Sequence, residues 1–407
     1  MDDAPVKPLF DAEEVIHDDS NPALVWEAVI GTAVTNRVSD VHACAQRDGY
    51  ELSFRLDGDL RRQGSFSHEF GRRLIGHVKS VSGMDLSEHR RPTEGRMKLP
   101  AGDRTVDLRI SAVPGIHGQD IVVRLFDSTV RLIHLAELGL LAEQLDTLRD
   151  MMSRPTGLIL VAGPSGGGKT TTLYAMLREM IAFPQKIITI EDPVEYDIPT
   201  VAQTQANPRI GVTFATMLTA ILRQDPDVIM VGEIRDVETA VTAVRAANTG
   251  HLVLATTHAT RASRAVETLL SLGVHPYFLS SALRCVLAQV LVKRVCDNCK
   301  TPLPETADIV LEDAVLRRLP EGAEPQLWQG TGCDQCRNTG YRGRTALFEL
   351  FVSNERIREM ILSRAGAGEI DQAAEETGML TLELAGKLSA VAGLTTMEQI
   401  IDALPSL

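Results

Sequence analysis

The stretch that decides the fold is GLILVAGPSGGGKTTT, residues 157–172, where an apolar run passes into a glycine-rich loop and then a run of threonines. Gly163 and Gly168 bracket four residues, and Lys169 and Thr170 follow, which matches the G-x-x-x-x-G-K-[ST] pattern. Glycines let successive backbone N–H groups point inward at phosphate oxygens, and the N-terminus of the following helix adds a favourable dipole. The pattern therefore predicts a strand–loop–helix site for the phosphates of a nucleotide.

The residues of this loop have different expected tasks. Lys169 would reach the β and γ phosphates, and the hydroxyl of Thr170 would bind a Mg²⁺ ion. The whole predicted nucleotide-binding set is Gly163, Pro164, Ser165, Gly166, Gly167, Gly168, Lys169, Thr170 and Thr171.

Three more apolar runs follow the one that ends at the loop. They are KIITI (186–190), DVIMV (227–231) and HLVLATT (251–257), and helical stretches separate them. Continuous runs rich in Val, Ile and Leu are typical of strands buried on both faces of a parallel sheet. The region is therefore predicted to be α/β, with its ligand beyond the carboxyl ends of the strands.

Charged residues follow these runs at the places where a ligand would bind. Glu191, Asp192 and Glu195 come after the second run, and Glu233 comes after the third, behind Gly232. Each of the four can serve as the general base, and the sequence leaves the choice among them open. Glu233 is also expected to hold Mg²⁺, largely through water.

His258 follows the fourth apolar run and His251 begins it. We expect His258 to contact the γ-phosphate of a bound nucleotide, and His251 to be a hydrogen-bonded structural residue.

Length and charge limit the function further. A chain of 407 residues exceeds the size of one hydrophobic core, so more than one domain is expected. The net charge of −13 argues against nonspecific nucleic-acid binding, which needs a basic face. The N-terminus has no apolar signal region, and no run approaches the length of a spanning helix. We therefore expect a cytoplasmic protein whose contact with a membrane is indirect.

The rest of the chain divides by pattern. Residues 1–20 are an acidic tail, residues 21–127 alternate as strands and helices of a small α+β domain, and residues 128–150 resemble a helical connector. Residues 151–407 form the α/β domain, which includes a segment at 290–345 and a mainly helical region at 346–407.

Four of the six cysteines form two Cys-x-x-Cys pairs, Cys296/Cys299 and Cys333/Cys336, and Cys44 and Cys285 are expected to be small buried residues. Each pair can place two thiolates on one side of a tetrahedron, so together they predict a closed structural Zn²⁺ site. Disulfides are the alternative, disfavoured by a reducing cytosol.

Four segments together resemble the traffic ATPases that drive type II secretion and type IV pilus assembly. The segments are GPSGGGKTTTLY (163–174), ITIEDPVEY (188–196), RQDPDVIMVGEIRDVETA (223–240) and TGHLVLATTHA (249–259). The resemblance implies a RecA-like P-loop ATPase domain that hydrolyses ATP in a hexameric ring. It also implies that SDVHA (39–43) and the segments at 83–96 and 107–124 belong to a preceding PAS-like α+β domain.

The resemblance assigns further residues and partners. Arg96, Arg109 and Arg124 occupy the family positions whose guanidinium groups complete the nucleotide site. The tetracysteine element is usual in secretion and extension members, and retraction members typically lack it. The ring would therefore act at the cytoplasmic face of the inner membrane on a platform protein of a pilus or secretion system.

Two features depart from the family. The region before the PAS-like domain is shorter than usual, which favours a pilus-system variant, and Cys44 stands where the family commonly has Glu. A retraction motor, a DNA-transfer ATPase of conjugation and a non-hydrolysing nucleotide-dependent scaffold are the alternatives.

Overall fold

The computed structural model describes residues 8–101, 104–127, 133–303, 313–318 and 325–404. The chain divides into two compact units, Met1–Arg131 and Leu132–Leu407. The predicted connector at 128–150 therefore contributes to the second unit, where Leu135 and Leu148 are fully buried. Residues 128–132 of that connector lie outside the described residues.

The N-terminal unit is a six-stranded antiparallel sheet with helices packed on one face. Its elements are α1 (Ala12–Val15), α2 (Pro22–Thr35), β1 (Asp40–Gln46), β2 (Gly49–Leu56), β3 (Asp59–Phe66), α3 (His68–Val81), β4 (Thr93–Ala101), β5 (Arg104–Pro114) and β6 (Gln119–Asp127). The strands lie in the order β3-β2-β1-β6-β5-β4.

The sequence patterns of this unit are confirmed where they were clearest. Asn21 caps α2 by accepting from the N–H of Ala23, and Pro22 takes the first helical position. The alternating apolar residues of β2, Tyr50, Leu52, Phe54 and Leu56, are all buried. The acidic segment at 1–20 was predicted to be a tail, but three of its apolar residues, Phe10, Ala12 and Ile16, are buried in the core of the unit. The acidic residues at positions 11–19 are exposed, while these apolar side chains pack in the core.

The C-terminal unit begins with a short 3-10 turn at Leu135–Glu137. Its first half contains α4 (Ala142–Met152), β7 (Gly157–Ala162), α5 (Lys169–Met180), β8 (Ile187–Glu191), β9 (Ala202–Gln205), α6 (Phe214–Ile221), β10 (Val228–Val231), α7 (Val237–Asn248) and β11 (Leu252–Thr257). Its second half contains α8 (Ala262–Ser271), α9 (Pro276–Ala282), β12 (Leu283–Val295), β13 (Lys300–Pro302), α10 (Asp313–Leu316), β14 (Trp328–Gly330), β15 (Tyr341–Val352), α11 (Glu355–Leu362), α12 (Ala367–Glu376), α13 (Leu382–Val391) and α14 (Met397–Ala403).

The main sheet of this unit has the order β15-β12-β7-β11-β10-β8-β9. Every pair is parallel except β12 with β15. Successive residues of β7 belong to different cores: Leu158 and Leu160 pack on one face, and Ile159 and Val161 on the other. The predicted α/β sheet, buried on both faces, is therefore confirmed.

The region predicted to be helical from residue 346 begins as a strand. β15 continues to Val352 as the antiparallel edge of the sheet, and the four helices α11 to α14 follow it. Residues 346–351 are all buried, because helices cover both faces of this strand: Leu347 packs with residues of α13 and α14, and Phe348 shares a core with residues of α4 and α5. The run ALFELF (346–351) is apolar except for Glu349, and periodicity alone does not distinguish such a short buried strand from a buried helix.

Candidate functional site

The phosphate loop connects β7 to α5 in a conformation that its glycines permit. Gly168 has φ +83°, a left-handed conformation that disfavours residues with a Cβ atom. Gly163 lies so close to β12 that a Cβ atom there would be 2.5 Å from the carbonyl oxygen of Gln289. The strand–loop–helix geometry expected for phosphate binding is therefore present, with α5 beginning at Lys169.

Lys169 is largely buried at the start of α5. Its ammonium donates to the carbonyl oxygens of Gly163, at 2.8 Å, and Pro164, at 2.9 Å. Burial lowers the pKa of Lys169, and the nearby Glu233 carboxylate opposes that shift. A partly desolvated cation at the N-terminus of a helix attracts phosphate strongly. Thr170 and Thr171, the next two residues, are half-buried.

Glu233 lies just beyond the end of β10, and its side chain is 13% exposed. Its carboxylate contacts Nε2 of His258 and the guanidinium of Arg235. The other ring nitrogen of His258, Nδ1, is 3.4 Å from Nζ of Lys169. His258 therefore bridges the predicted phosphate-binding lysine and the carboxylate behind Gly232.

Backbone contacts fix the position of this carboxylate. The N–H of Gly232 donates to the carbonyl of Ile190 at 2.7 Å, and the hydroxyl of Thr256 donates to the carbonyl of Gly232 at 2.6 Å. Three parallel strands thus hold the residue that precedes Glu233. His251, at the start of β11, instead contacts the carbonyl of Ala246 at 3.0 Å.

Glu191 differs from the other candidate carboxylates because it is buried and hydrogen-bonded. It accepts from the hydroxyl of Tyr174, from the hydroxyl of Thr189 at 2.6 Å and from the side-chain amide of Gln203 at 3.1 Å. Burial, reinforced by the Glu191 charge, raises the pKa of Tyr174, so this phenol stays protonated and donates. These contacts favour a structural task for Glu191.

The two remaining carboxylates lie on the loop after β8. Asp192 is exposed and Glu195 is half-buried, and the N–H of Glu195 donates to the Tyr174 hydroxyl at 3.3 Å. Of the four candidates for the general base, Glu233 is the one that contacts His258.

The three candidate arginines form a row across the sheet of the N-terminal unit. Arg109 on β5 lies directly opposite Arg96 on β4 and Arg124 on β6. Residues directly opposite each other on adjacent strands share a face, and like charges there repel. The guanidinium of Arg109 lies 4.1 Å from the centre of the Phe126 ring, and Nε of Arg124 is 2.9 Å from the buried carboxylate of Asp40.

The four paired cysteines meet at one point. The sulfur atoms of Cys296, Cys299, Cys333 and Cys336 all lie within 4.8 Å of one another. The Sγ–Sγ distance is 3.9 Å for Cys296 and Cys333, and 3.7 Å for Cys299 and Cys336. Zinc–sulfur bonds of about 2.3 Å in a tetrahedron place the sulfurs about 3.8 Å apart. The donor set and its spacing therefore fit a structural zinc ion.

The other two cysteines differ from each other. Cys285 is fully buried, and burial raises its pKa to about 12. Cys44, which was also expected to be buried, is partly exposed on β1.

Three residues at these sites were not singled out from the sequence. Arg235 contacts Glu233, and that hydrogen bond raises the pKa of the guanidinium. Tyr174 is the hydroxyl partner of Glu191, and Gln289 contacts the phosphate loop from β12. The signal for Gln289 was a single amide within the otherwise apolar run VLAQVLV (286–292).

The chain is similar in sequence to proteins of known function over most of its length. A sequence profile described as Type II/IV secretion system protein matches residues 17–402. The type II secretion system ATPase E of Vibrio cholerae is 42% identical over 352 residues, 86% of this chain and 69% of that protein. The type IV pilus assembly ATPase PilB of Thermus thermophilus is 39% identical over 391 residues, 94% of this chain and 43% of that protein.

Among the described residues, no helix is both long enough and apolar enough to cross a membrane.

A solved structure is also similar to this chain. The crystal structure of the pilus retraction motor PilT with bound ADP has a TM-score of 0.62 and 25% identity, and the match covers 93% of this chain and 96% of that one. The fold class expected from the sequence, a RecA-like ATPase domain preceded by a PAS-like domain, is confirmed. The chain belongs to the type II/IV secretion system protein family.

Proposed function

We propose that this protein is a Mg²⁺-dependent ATPase motor that powers type IV pilus assembly or type II secretion. The observation that carries the proposal is the contact series Lys169–His258–Glu233 beside the phosphate loop. In these contacts one imidazole ring touches both the Lys169 ammonium and the Glu233 carboxylate, which supports phosphate binding by the first and water activation by the second. Relatives that are secretion and pilus assembly ATPases support the same activity.

The residues of the loop and the strand ends have separate tasks in hydrolysis. Backbone N–H groups of residues 163–171 and the Lys169 ammonium bind the phosphates, and the Thr170 hydroxyl and Glu233, through water, hold the metal site. A Mg²⁺ ion held by these residues would supply positive charge that offsets the negative charge of the phosphates. Glu233 takes the proton of the attacking water. His258 orients the Glu233 carboxylate and contacts the γ-phosphate.

Asp192 and Glu195 are the remaining candidates for the base, and Glu191 organises the loop that carries them. The contacts of Glu191 with Tyr174 and Thr189 support that structural assignment.

The arginine row supplies positive charge to the γ-phosphate. Arg96, Arg109 and Arg124 lie opposite one another on adjacent strands, where like charges repel, and Asp40 offsets part of that repulsion at Arg124. Arginine supplied within a subunit or from a neighbouring one stabilises the transition state of phosphoryl transfer. We propose that the chain works as a homo-hexamer in which the row completes a nucleotide site.

The cysteine cluster favours the assembly and secretion branch over a retraction motor. A zinc ion held by Cys296, Cys299, Cys333 and Cys336 would stabilise a polar excursion too small to bury its own core. The ring would act at the cytoplasmic face of the inner membrane on a platform protein. Conformational change in the ring, coupled to nucleotide turnover, would drive that partner.

The test is phosphate release by the purified protein with MgATP, for the wild type and for Lys169→Ala. We expect turnover by the wild type and loss of both ATP binding and turnover in the variant. Lys169→Ala should also stop pilus or secretion output in cells. ATP binding by the wild type without phosphate release would favour the non-hydrolysing scaffold, and stimulation by nucleic acid would favour a DNA-transfer ATPase.

A further inference from the structure

Gln289 is a buried amide that contacts the phosphate loop from the neighbouring strand. It lies on β12, is 1% exposed and is surrounded by apolar residues along its own strand. Its Oε1 accepts from the hydroxyl of Thr172 at 2.7 Å, and its Nε2 donates to the carbonyl of Gly167 at 2.5 Å. Both ends of the amide are therefore occupied by the loop and the first turn of α5.

The two partners of Gln289 lie on either side of the residues that bind phosphate. Gly167 precedes Lys169 in the loop, and Thr172 follows Thr170 in the helix. The backbone also packs closely here, since a Cβ atom on Gly168 would lie 3.2 Å from Nε2 of Gln289. One side chain thus fixes the loop and the helix relative to each other and to the sheet.

The burial of the Gln289 amide on an otherwise apolar part of β12 requires compensating hydrogen bonds. Burying it without partners would cost free energy that an apolar residue of similar size would not. A loop with three consecutive glycines, Gly166 to Gly168, has large conformational freedom that must be lost before its N–H groups converge. A hydrogen bond to Gly167 restricts that freedom before any ligand arrives.

We infer that Gln289 is a positioning residue that pre-organises the phosphate loop and thereby sets its affinity for nucleotide. The inference rests on the proposed ATPase function. If only a fraction of free molecules has the competent loop, the apparent dissociation constant rises by the inverse of that fraction.

The substitution Gln289→Met keeps the length of the side chain and removes both hydrogen bonds. Without these two bonds a smaller fraction of free molecules has the competent loop, so we expect MgATP to bind roughly tenfold more weakly, equivalent to about 1.4 kcal/mol. The KM for ATP should rise by a similar factor. At saturating ATP the bound loops are all competent, so kcat should stay within about twofold of the wild type.

Gln144 offers a matched control in the same unit. It is also a buried glutamine with both ends engaged: Oε1 accepts from the N–H of Leu141 at 3.1 Å, and Nε2 donates to the carbonyl of Phe348 at 2.8 Å. Gln144→Met should lower the thermal midpoint about as much as Gln289→Met does, and leave the KM for ATP unchanged. Thr172→Val, which removes one of the two loop contacts without changing volume, should raise the KM about threefold.

The experiment measures binding of a fluorescent ATP analogue, steady-state kinetics and thermal unfolding for these proteins. A selective rise in KM for Gln289→Met and Thr172→Val supports the inference. An unchanged KM in both, or an equal rise in Gln144→Met, overturns it. If Gln289→Met does not fold, Thr172→Val decides alone. A wild type that neither binds nor hydrolyses ATP would overturn the proposed function and this inference together, whereas an active wild type isolates the test of Gln289.

Discussion

Replacing one cysteine of the four-cysteine cluster should loosen the last two helices, α13 and α14, which also pack directly on β12 and β15. The cysteine module, defined here as residues 293–303 and 325–345, is hydrogen-bonded to the end of α13 and to the segment that joins α13 to α14. The N–H of Val295 donates to the carbonyl of Leu394 at 3.0 Å, and the hydroxyl of Thr395 donates to the carbonyl of Lys293 at 2.9 Å. The indole of Trp328 donates to the carbonyl of Val391 at 3.2 Å.

The size of the effect follows from these contacts. In Cys333→Ser we expect the module to lose its zinc and these three bonds to open together. At about 1 kcal/mol each, the opening free energy of α13 and α14 falls by about 3 kcal/mol, which speeds amide exchange on the order of a hundredfold. The amides of α5, on the other side of the sheet, should exchange at the wild-type rate.

The assay combines metal content with hydrogen exchange. The wild type should hold one zinc per chain with four sulfur ligands at about 2.3 Å by X-ray absorption, and Cys333→Ser should not. Cys44→Ser is the control, because Cys44 lies on β1 of the other unit. Zinc-free wild-type protein with Cys296 and Cys299 in disulfides, or unchanged exchange in α13 and α14, would refute the reasoning.

Three other changes test separate parts of the fold. Tyr174→Phe removes one donor from the buried Glu191 carboxylate and should cost about 2 kcal/mol in denaturant unfolding; a cost below about 0.5 kcal/mol would contradict that contact. Asp40→Asn removes the countercharge of Arg124 and should destabilise the protein by about 1–2 kcal/mol, less at high salt because salt screens the arginine row; a salt-independent loss would argue against repulsion. Glu349→Gln should raise the free energy of unfolding at pH 7.5, because burial raises the pKa of that carboxyl, and the gain should shrink as pH falls toward the ordinary value of 4.5; a gain independent of pH would contradict it.

The pH dependence expected for Glu349→Gln follows from the protonation of Glu349 in the folded and the unfolded protein. Glu349 caps α8 through the N–H of Ala262, and Asp371 raises its pKa further while Arg261 lowers it. Above its raised folded pKa the carboxyl is charged in both states, so folding bears the whole cost of burying the charge. As pH falls, the folded protein takes up the proton first, and that cost disappears.

The sequence predicted those features that depend on residues close together in the chain. The phosphate loop, the buried strands and the capped helix at Pro22 each depend on residues near in sequence, so their patterns predicted them. The spacing of the cysteines likewise indicated one four-thiolate cluster. The prediction of a helix from residue 346 was wrong because the run at 346–351, apolar except for Glu349, has a composition that suits both a covered edge strand and a buried helix.

The long-range contacts needed the structure. Gln289 and Gly167 are 122 positions apart, and neither residue alone indicates the other. The resemblance supplied Arg96, Arg109 and Arg124 one by one, but the register that aligns them across three strands is a property of the folded sheet. The burial of Phe10 and Ile16 also needed the structure, because the acidic residues around them in the sequence had indicated a solvent-exposed tail.

The most direct test of the central claim is a turnover measurement on Glu233→Gln. The amide keeps the shape of the side chain and removes the base that contacts His258. The account predicts that this variant binds MgATP about as well as the wild type and releases phosphate roughly 10²–10⁴-fold more slowly. Normal turnover in Glu233→Gln would contradict the assignment.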